Sequence, residues 1–259
     1  MIELFEKLSV FDHVKYYDEP HTYHIGDRRL TNSPTKLLGK YKPKFDADKQ
    51  SKITAERTNR TQQEVLDEWA LKRVTSTVKG SVFHDYAENY LGNKIFKYPL
   101  DYVLSTPEFN GQDLIFDKME KLKSIFHDFH SKIQGRMLPI KSEYVVGDAE
   151  LDVGGMIDQL FFNKKTGMLE IWDWKTNKEI KTFNPFKKDK KMLGIFSQYD
   201  NCELVHYSMQ TAIYKFIIER NTGLKLGTSR IAWFHENNDA VKIYDCIDME
   251  NEVKQIFAK

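Results

Sequence analysis

Cysteine is nearly missing from these 259 residues: Cys202 and Cys246 stand far apart and no CxxC occurs. Neither a disulfide framework nor a four-cysteine zinc or iron–sulfur site can be assembled from them. No apolar run approaches the roughly 18 residues of a spanning helix, and the mean hydropathy is negative, which excludes a helical membrane span. Internal repeats and low-complexity linkers are absent as well. The opening "MIELFEKLSV" carries glutamates where a secretory signal carries basic residues, so an intracellular, cytoplasmic location is expected.

The content is that of a globular chain, 41% hydrophobic and 13% aromatic, long enough for one large domain over residues 1–259. The net charge of +1 conceals an uneven distribution. Residues 36–52 hold six lysines against two aspartates, and residues 178–191 hold six lysines against one glutamate and one aspartate. Each segment is +4, leaving −7 on the remainder. Tyr41, Phe45, Phe183 and Phe186 lie among these lysines, which include Lys181 and Lys187. Cations for phosphates and rings for bases are the mixture of a single-stranded nucleic-acid groove. A lysine run can equally be a solvated face.

Residues 14–30 alternate in short β-prone runs around Asp18-Glu19-Pro20 and Gly26-Asp27, predicting an N-terminal hairpin or meander. In "TNSPTKLLGKY", Ser33 is a candidate N-cap with Pro34 at the first helical position. Residues 46–92 are rich in helix formers and predict a helical region. Residues 112–134 set Leu114, Ile115, Met119, Leu122, Ile125, Phe126 and Phe129 on one helical stripe. Strands are expected at 143–147, 151–162 and 168–176, a helix at about 204–221, then strands in "SRIAWFHE" and "AVKIYDCID". The class is therefore mixed α/β with α+β character: a central sheet, strands arriving in hairpins, helices around it. The sub-regions are 1–45 (hairpin and short helix), 46–135 (helical) and 140–259 (sheet and flanking helices).

Within this order, "GGMIDQLFFNKKTGMLEIWDWKT" predicts two strands joined by the turn "NKKTG", whose Gly167 can take a positive φ. A regular hairpin centred near residue 165.5 opposes Asp158 to Asp173. Directly opposed Cβ atoms are about 4.5–5.5 Å apart. Like charges about 4 Å apart repel by roughly 4 kcal/mol at an effective dielectric near 20, so something cationic is expected between them. Lys175 projects from the same face as Asp173 because strand side chains repeat with period two. Mg²⁺ or Mn²⁺, hard ions that take oxygen ligands, fit two carboxylates better than one ammonium does. A purely structural Asp–Lys–Asp network would bury three charges at poor return. The other histidines offer less: His21 and His24 fall on opposite strand faces, and His127 with His130 lacks a third ligand.

Five short motifs then occur in the order of a known family. "NSPTKLL", "KGSVFHDYAENYL", "SEYVV", "GGMIDQL" with "IWDWKT", and "YSMQTAIY" together resemble the RecB-like branch of the PD-(D/E)xK nuclease superfamily. The stretch "QQEVLDEWALKRVTSTVKGSVFH", with Trp69, is similar to stand-alone phage and mitochondrial genome-maintenance exonucleases of that branch. The resemblance runs from the N-terminal hairpin to about residue 220. It implies a restriction-endonuclease-like core with a catalytic hairpin. It also implies that Asp158, Asp173 and Lys175 are catalytic, and that His84, Asp158, Asp173 and the Trp174 carbonyl hold one or two Mg²⁺ or Mn²⁺ ions. Ser33, Thr35, Gln210 and Tyr214 would lie along DNA or orient the site, with Lys181 and Lys187 attracting it and Glu88 and Glu143 in support. Two departures stand out: no helicase domain accompanies these motifs, and the four cysteines that hold an iron–sulfur cluster in many relatives are missing.

The implied activity is metal-dependent exonucleolytic hydrolysis of single-stranded DNA or DNA ends, in a bacterial or phage-infected cell, beside replication or recombination proteins. A structure-specific endonuclease and an inactive nuclease fold that only binds DNA are the alternatives.

Overall fold

The structure, a computed structural model, describes residues 1–92, 112–186 and 190–258, without the side chains of 112–116. Lys187 and the side chains of Leu114 and Ile115 therefore lie outside the described residues.

A short helix α1 (Ile2–Leu8) precedes a three-stranded meander, β1 (Val14–Tyr17), β2 (Thr22–Ile25) and β3 (Arg28–Arg29). Its turns fall where Pro20 and Gly26 anticipate them. Helix α2 (Pro34–Lys40) starts as expected: Ser33 Oγ accepts the Lys36 amide at 3.2 Å and Pro34 occupies the first turn. Two helices follow, α3 (Ala47–Thr58) and α4 (Gln62–Leu91). Asn59 closes α3 with φ +51°, and Thr61 and Glu64 form a reciprocal capping box on α4. Helix α5 (Gln112–Ile133) completes the helical region.

The second half builds a five-stranded sheet in the order β4 (Met137–Asp148), β5 (Val153–Asn163), β6 (Met168–Lys175), β7 (Arg230–Trp233), β8 (Lys242–Asp245). All neighbours are antiparallel except β6 and β7, which run parallel and are joined through helix α6 (Glu203–Thr222). A parallel pair requires such a crossover. The chain closes with α7 (Glu250–Phe257). The fold is mixed α/β, as the order of elements predicts. Helices α1 and α7 and the start of β4 at Met137 extend beyond the expected elements.

Period-two alternation along β6 divides the core. Leu169 and Ile171 pack with residues of α1, α2, α6 and α7. Trp172 and Trp174 turn to the opposite face and join Phe83, Phe126 and Phe129 of α4 and α5. The sheet is thus a middle layer with helices on both sides. Both tryptophans are 1% exposed, and truncating either to alanine should cost about 3–5 kcal/mol.

Candidate metal centre

The β5–β6 hairpin has the expected register. Gln159 pairs with Trp172 and Leu160 with Ile171, so one further step sets Asp158 against Asp173. Gly167 has φ +71° and its amide bonds the Asn163 carbonyl at 2.8 Å, closing the turn. Beyond Gln159 the ladder gives way: Asp158 Oδ2 accepts the Trp174 amide at 2.7 Å. The two carboxylates are consequently held on different partners. Asp173 is 3% exposed, with Oδ2 2.5 Å from Lys175 Nζ in an ion pair.

His84 comes from α4. Its Nε2 lies 3.1 Å from the Trp174 carbonyl oxygen, which also accepts Lys175 Nζ at 3.2 Å. Its Nδ1 faces two carboxylates, Asp158 Oδ1 at 3.5 Å and Glu143 Oε1 at 3.8 Å. His84, Glu143 and Asp158 each offer a ligand atom, all within 4.8 Å of one another, and they form the one such cluster among the described residues. Glu143, expected only to support, enters the cluster, while Asp173 stands beside it, occupied by Lys175.

Backbone geometry explains how Glu143 arrives. It has φ +44°, and the β4–β5 ladder passes from Ser142–Gln159 to Tyr144–Ile157, leaving Glu143 and Asp158 outside the pairing. A non-glycine residue in the left-handed region carries a cost of order 1–3 kcal/mol, and such residues gather at functional sites. No one-dimensional signal marks this distortion, since "SEYVV" reads as ordinary strand. Glu143 Oε1 is buried with no hydrogen-bond partner among the described residues, an arrangement that a cation at this point would relieve.

The electrostatics of the cluster favour positive charge. Burial pulls the His84 imidazole down, but the carboxylates of Asp158 and Glu143 outweigh it and raise its pKa to about 9. Burial likewise opposes the charged form of Lys175, and Asp173 and Asp158 overcome it, so the ammonium is held above its ordinary range. For Asp173, burial is the largest influence and raises the carboxyl, with Lys175 opposing and Asp158 reinforcing.

Two tyrosines surround this centre that sequence reading passed over. The Tyr207 ring lies under Lys175 Nζ, 4.7 Å from ammonium to centroid, and its hydroxyl accepts Asn177 Nδ2 at 2.6 Å. Tyr23 of β2 is 8% exposed; burial, with Glu143 and Asp158 in reach, lifts its hydroxyl to about 12. Tyr207 was legible in principle, since it lies three residues before Gln210 and seven before Tyr214 on one face of α6.

Tyr214 is 5% exposed and packs against the strand: a Cβ added at Gly155 would fall 2.5 Å from its ring and 3.1 Å from Pro34. Gln210 Nε2 donates to its hydroxyl at 3.3 Å. This pair ties α6 and α2 to the hairpin, and the buried Tyr214 ring presents no surface to a strand. Thr35 is exposed, while Ser33 spends its hydroxyl on the α2 cap. Glu88 lies one turn beyond His84, lining a hollow with Lys141 and Ser142 of β4.

The two lysine segments, distant in sequence, converge at the start of α6. The Leu193 amide donates to the Tyr41 carbonyl at 2.8 Å, and the Tyr41 ring meets Phe196 edge-on. Lys42 Nζ contacts His206 Nδ1 at 3.3 Å, and the Leu204 amide donates to the Lys181 carbonyl at 3.0 Å. Phe45, Phe183 and Phe186 stay more than half exposed, and Phe45 stands 5.8 Å from Trp69.

No protein-family model matches the chain, and no curated protein matches it. Nineteen chains of known structure do. One of them, the crystal structure of SSO0001, aligns with 75% of this chain and 82% of its own at 12% identity and a TM-score of 0.29, a likeness too low to carry an inference. No described helix is long and apolar enough to cross a membrane.

Proposed function

We propose that this chain is a metal-dependent deoxyribonuclease of the RecB-like PD-(D/E)xK kind, hydrolysing phosphodiester bonds in single strands or at free DNA ends. One observation carries the reading: His84, Glu143 and Asp158 converge within 4.8 Å of one another beside the buried Asp173–Lys175 ion pair. The residues fit a hard divalent ion, with two carboxylates and one imidazole as donors and a buried oxygen of Glu143 left unbonded among the described residues. His84, Glu143 and Asp158 would hold Mg²⁺ or Mn²⁺, with the Trp174 carbonyl and Asp173 close by for a fuller shell or a second ion. Such an ion, when bound, supplies Lewis-acid polarisation of a phosphoryl oxygen and a water of lowered pKa.

The chain's own groups have separate tasks. Lys175, ion-paired with Asp173 and donating to the Trp174 carbonyl, suits orienting the attacking water and countering charge on the phosphoryl oxygens. Asp173 fixes the lysine, and Tyr207 shields its far side. The converging lysine segments, with exposed Phe45, Phe183 and Phe186, supply sequence-independent attraction and stacking for a strand.

The test uses single- and double-stranded oligonucleotides labelled at either end, with Mg²⁺, Mn²⁺ or EDTA, alongside Lys175→Ala. The expected result is a ladder growing from one end, abolished by EDTA and lowered by the variant about 10²-fold or more. Cleavage of circular DNA would make the enzyme an endonuclease. DNA binding with no metal-dependent cleavage would leave a binding module.

A further inference from the structure

A second cationic hollow lies apart from the metal cluster, farther toward the N-terminus of α4. It is lined by Leu71, Lys72, Thr75, Ser76 and Lys79 of α4 and Lys118 of α5 and has a volume of about 290 Å³; Lys72 is ion-paired with Glu68, a carboxylate that Arg60 shares. Lys79 is buried, its side chain 9% exposed, and is held by Glu236 at 3.0 Å; Lys118 reaches the same carboxylate at 3.4 Å. One carboxylate shared by two ammoniums leaves an excess of positive charge. Each ammonium has three donors, so donors remain for a further acceptor. The carboxyl of Glu236 keeps its charge: burial opposes ionisation, but its backbone hydrogen bond and Lys79 outweigh it and hold the pKa at about 2.

The hydroxyls are available too. In α3 and α6, Thr58, Ser208, Thr211 and Thr222 bond back to carbonyls of their own helix. The hydroxyls of Thr75 and Ser76 make no such bond among the described residues. The hollow thus combines ammonium and hydroxyl donors in a volume that admits a tetrahedral oxyanion. Its position suits a strand. Lys79 precedes His84 by five residues and Lys72 by twelve, a rise of about 7 Å to about 18 Å along the helix. Between them Gly80 approaches Thr176, just past Lys175, where an added Cβ would meet Thr176 Oγ1 at 3.7 Å.

We propose that this hollow is a phosphate subsite, taking a backbone phosphate of the DNA strand at a distance from the bond cleaved at the metal cluster. The proposal rests on the nuclease reading for its ligand, and its test separates the two. Binding of a fluorescent single-stranded oligonucleotide is measured by anisotropy in EDTA, across a salt series, for wild type, Lys118→Gln, Lys72→Gln, Ser76→Ala and the surface control Lys121→Gln. Thermal unfolding verifies that each variant folds.

The two hollow lysine variants should bind about 3–10-fold more weakly, each lowering the salt slope by about one. Ser76→Ala should weaken binding without changing the slope, and Lys121→Gln should stay within twofold. If Lys118→Gln and Lys72→Gln match Lys121→Gln, or wild type binds no oligonucleotide, the subsite is refuted. If these losses appear while wild type cleaves nothing with Mg²⁺ or Mn²⁺, the subsite stands and the nuclease reading falls.

Discussion

The ammonium of Lys175 stands 4.7 Å from the centre of the Tyr207 ring. With Asp173 and the Trp174 carbonyl on its other sides, the lysine is confined to one direction, and the ring supplies attraction without neutralising the charge. A cation–π contact of this partly desolvated kind is worth about 2 kcal/mol. Tyr207→Phe keeps the ring and should retain cleavage within about threefold, whereas Tyr207→Leu should lower kcat about 10–30-fold at little cost in KM. Steady-state kinetics on one oligonucleotide with all three proteins would decide; equal losses for Phe and Leu would point to the Asn177 hydrogen bond instead.

Metal affinity should depend on Glu143 as strongly as on Asp158. Calorimetric titration with Mn²⁺ is expected to show Kd raised tenfold or more by Glu143→Gln, Asp158→Asn or His84→Ala. Saturating metal should stabilise wild type by about 2.7 kcal/mol at 100 times Kd, an increment much reduced in the three variants. A Glu143→Gln protein with unchanged affinity would return Glu143 to a supporting position.

His206 provides a pH-dependent element away from the cluster. Its Nε2 donates to Asn201 Oδ1 at 2.8 Å and its Nδ1 faces Lys42 Nζ at 3.3 Å, an arrangement for neutral imidazole. Burial, then the charge of Lys42, lowers its pKa to about 4. The unfolded chain takes up this proton near 6.5, before the folded chain does. Stability from this residue is therefore complete above about pH 6.5 and is lost as pH falls toward 4, by at most about 1.4 kcal/mol per pH unit. Urea unfolding at pH 7 and pH 5 should show a smaller difference for His206→Gln than for wild type, and NMR titration should locate the imidazole near 4.

Gly155→Ala forces a methyl group to 2.5 Å from the Tyr214 ring and should destabilise the protein by about 1–3 kcal/mol. Gly39→Ala, within α2 and with open space around the added carbon, should be neutral or stabilising by up to about 1 kcal/mol. Unfolding free energies from denaturant titration should differ between the two variants by at least about 1 kcal/mol, with Gly155→Ala the less stable.

Local chemistry made much of this readable in one dimension. The turn at Gly167, the alternation of Ile171, Trp172, Asp173 and Trp174, and the Ser33-Pro34 cap are consequences of period, φ and hydrogen-bonding capacity that neighbouring residues decide. They set the register that brings Asp158 to Asp173 and sends Lys175 to the same face. Tertiary structure alone brought Glu143 to His84 and Asp158, because the left-handed backbone at Glu143 arises from how β4 and β5 depart from their ladder. It also joined the two lysine segments at α6, set Tyr207 against Lys175, and brought Lys79 and Lys118 to one carboxylate. Those pairings depend on chain crossings between residues tens to more than a hundred positions apart, which no local pattern encodes.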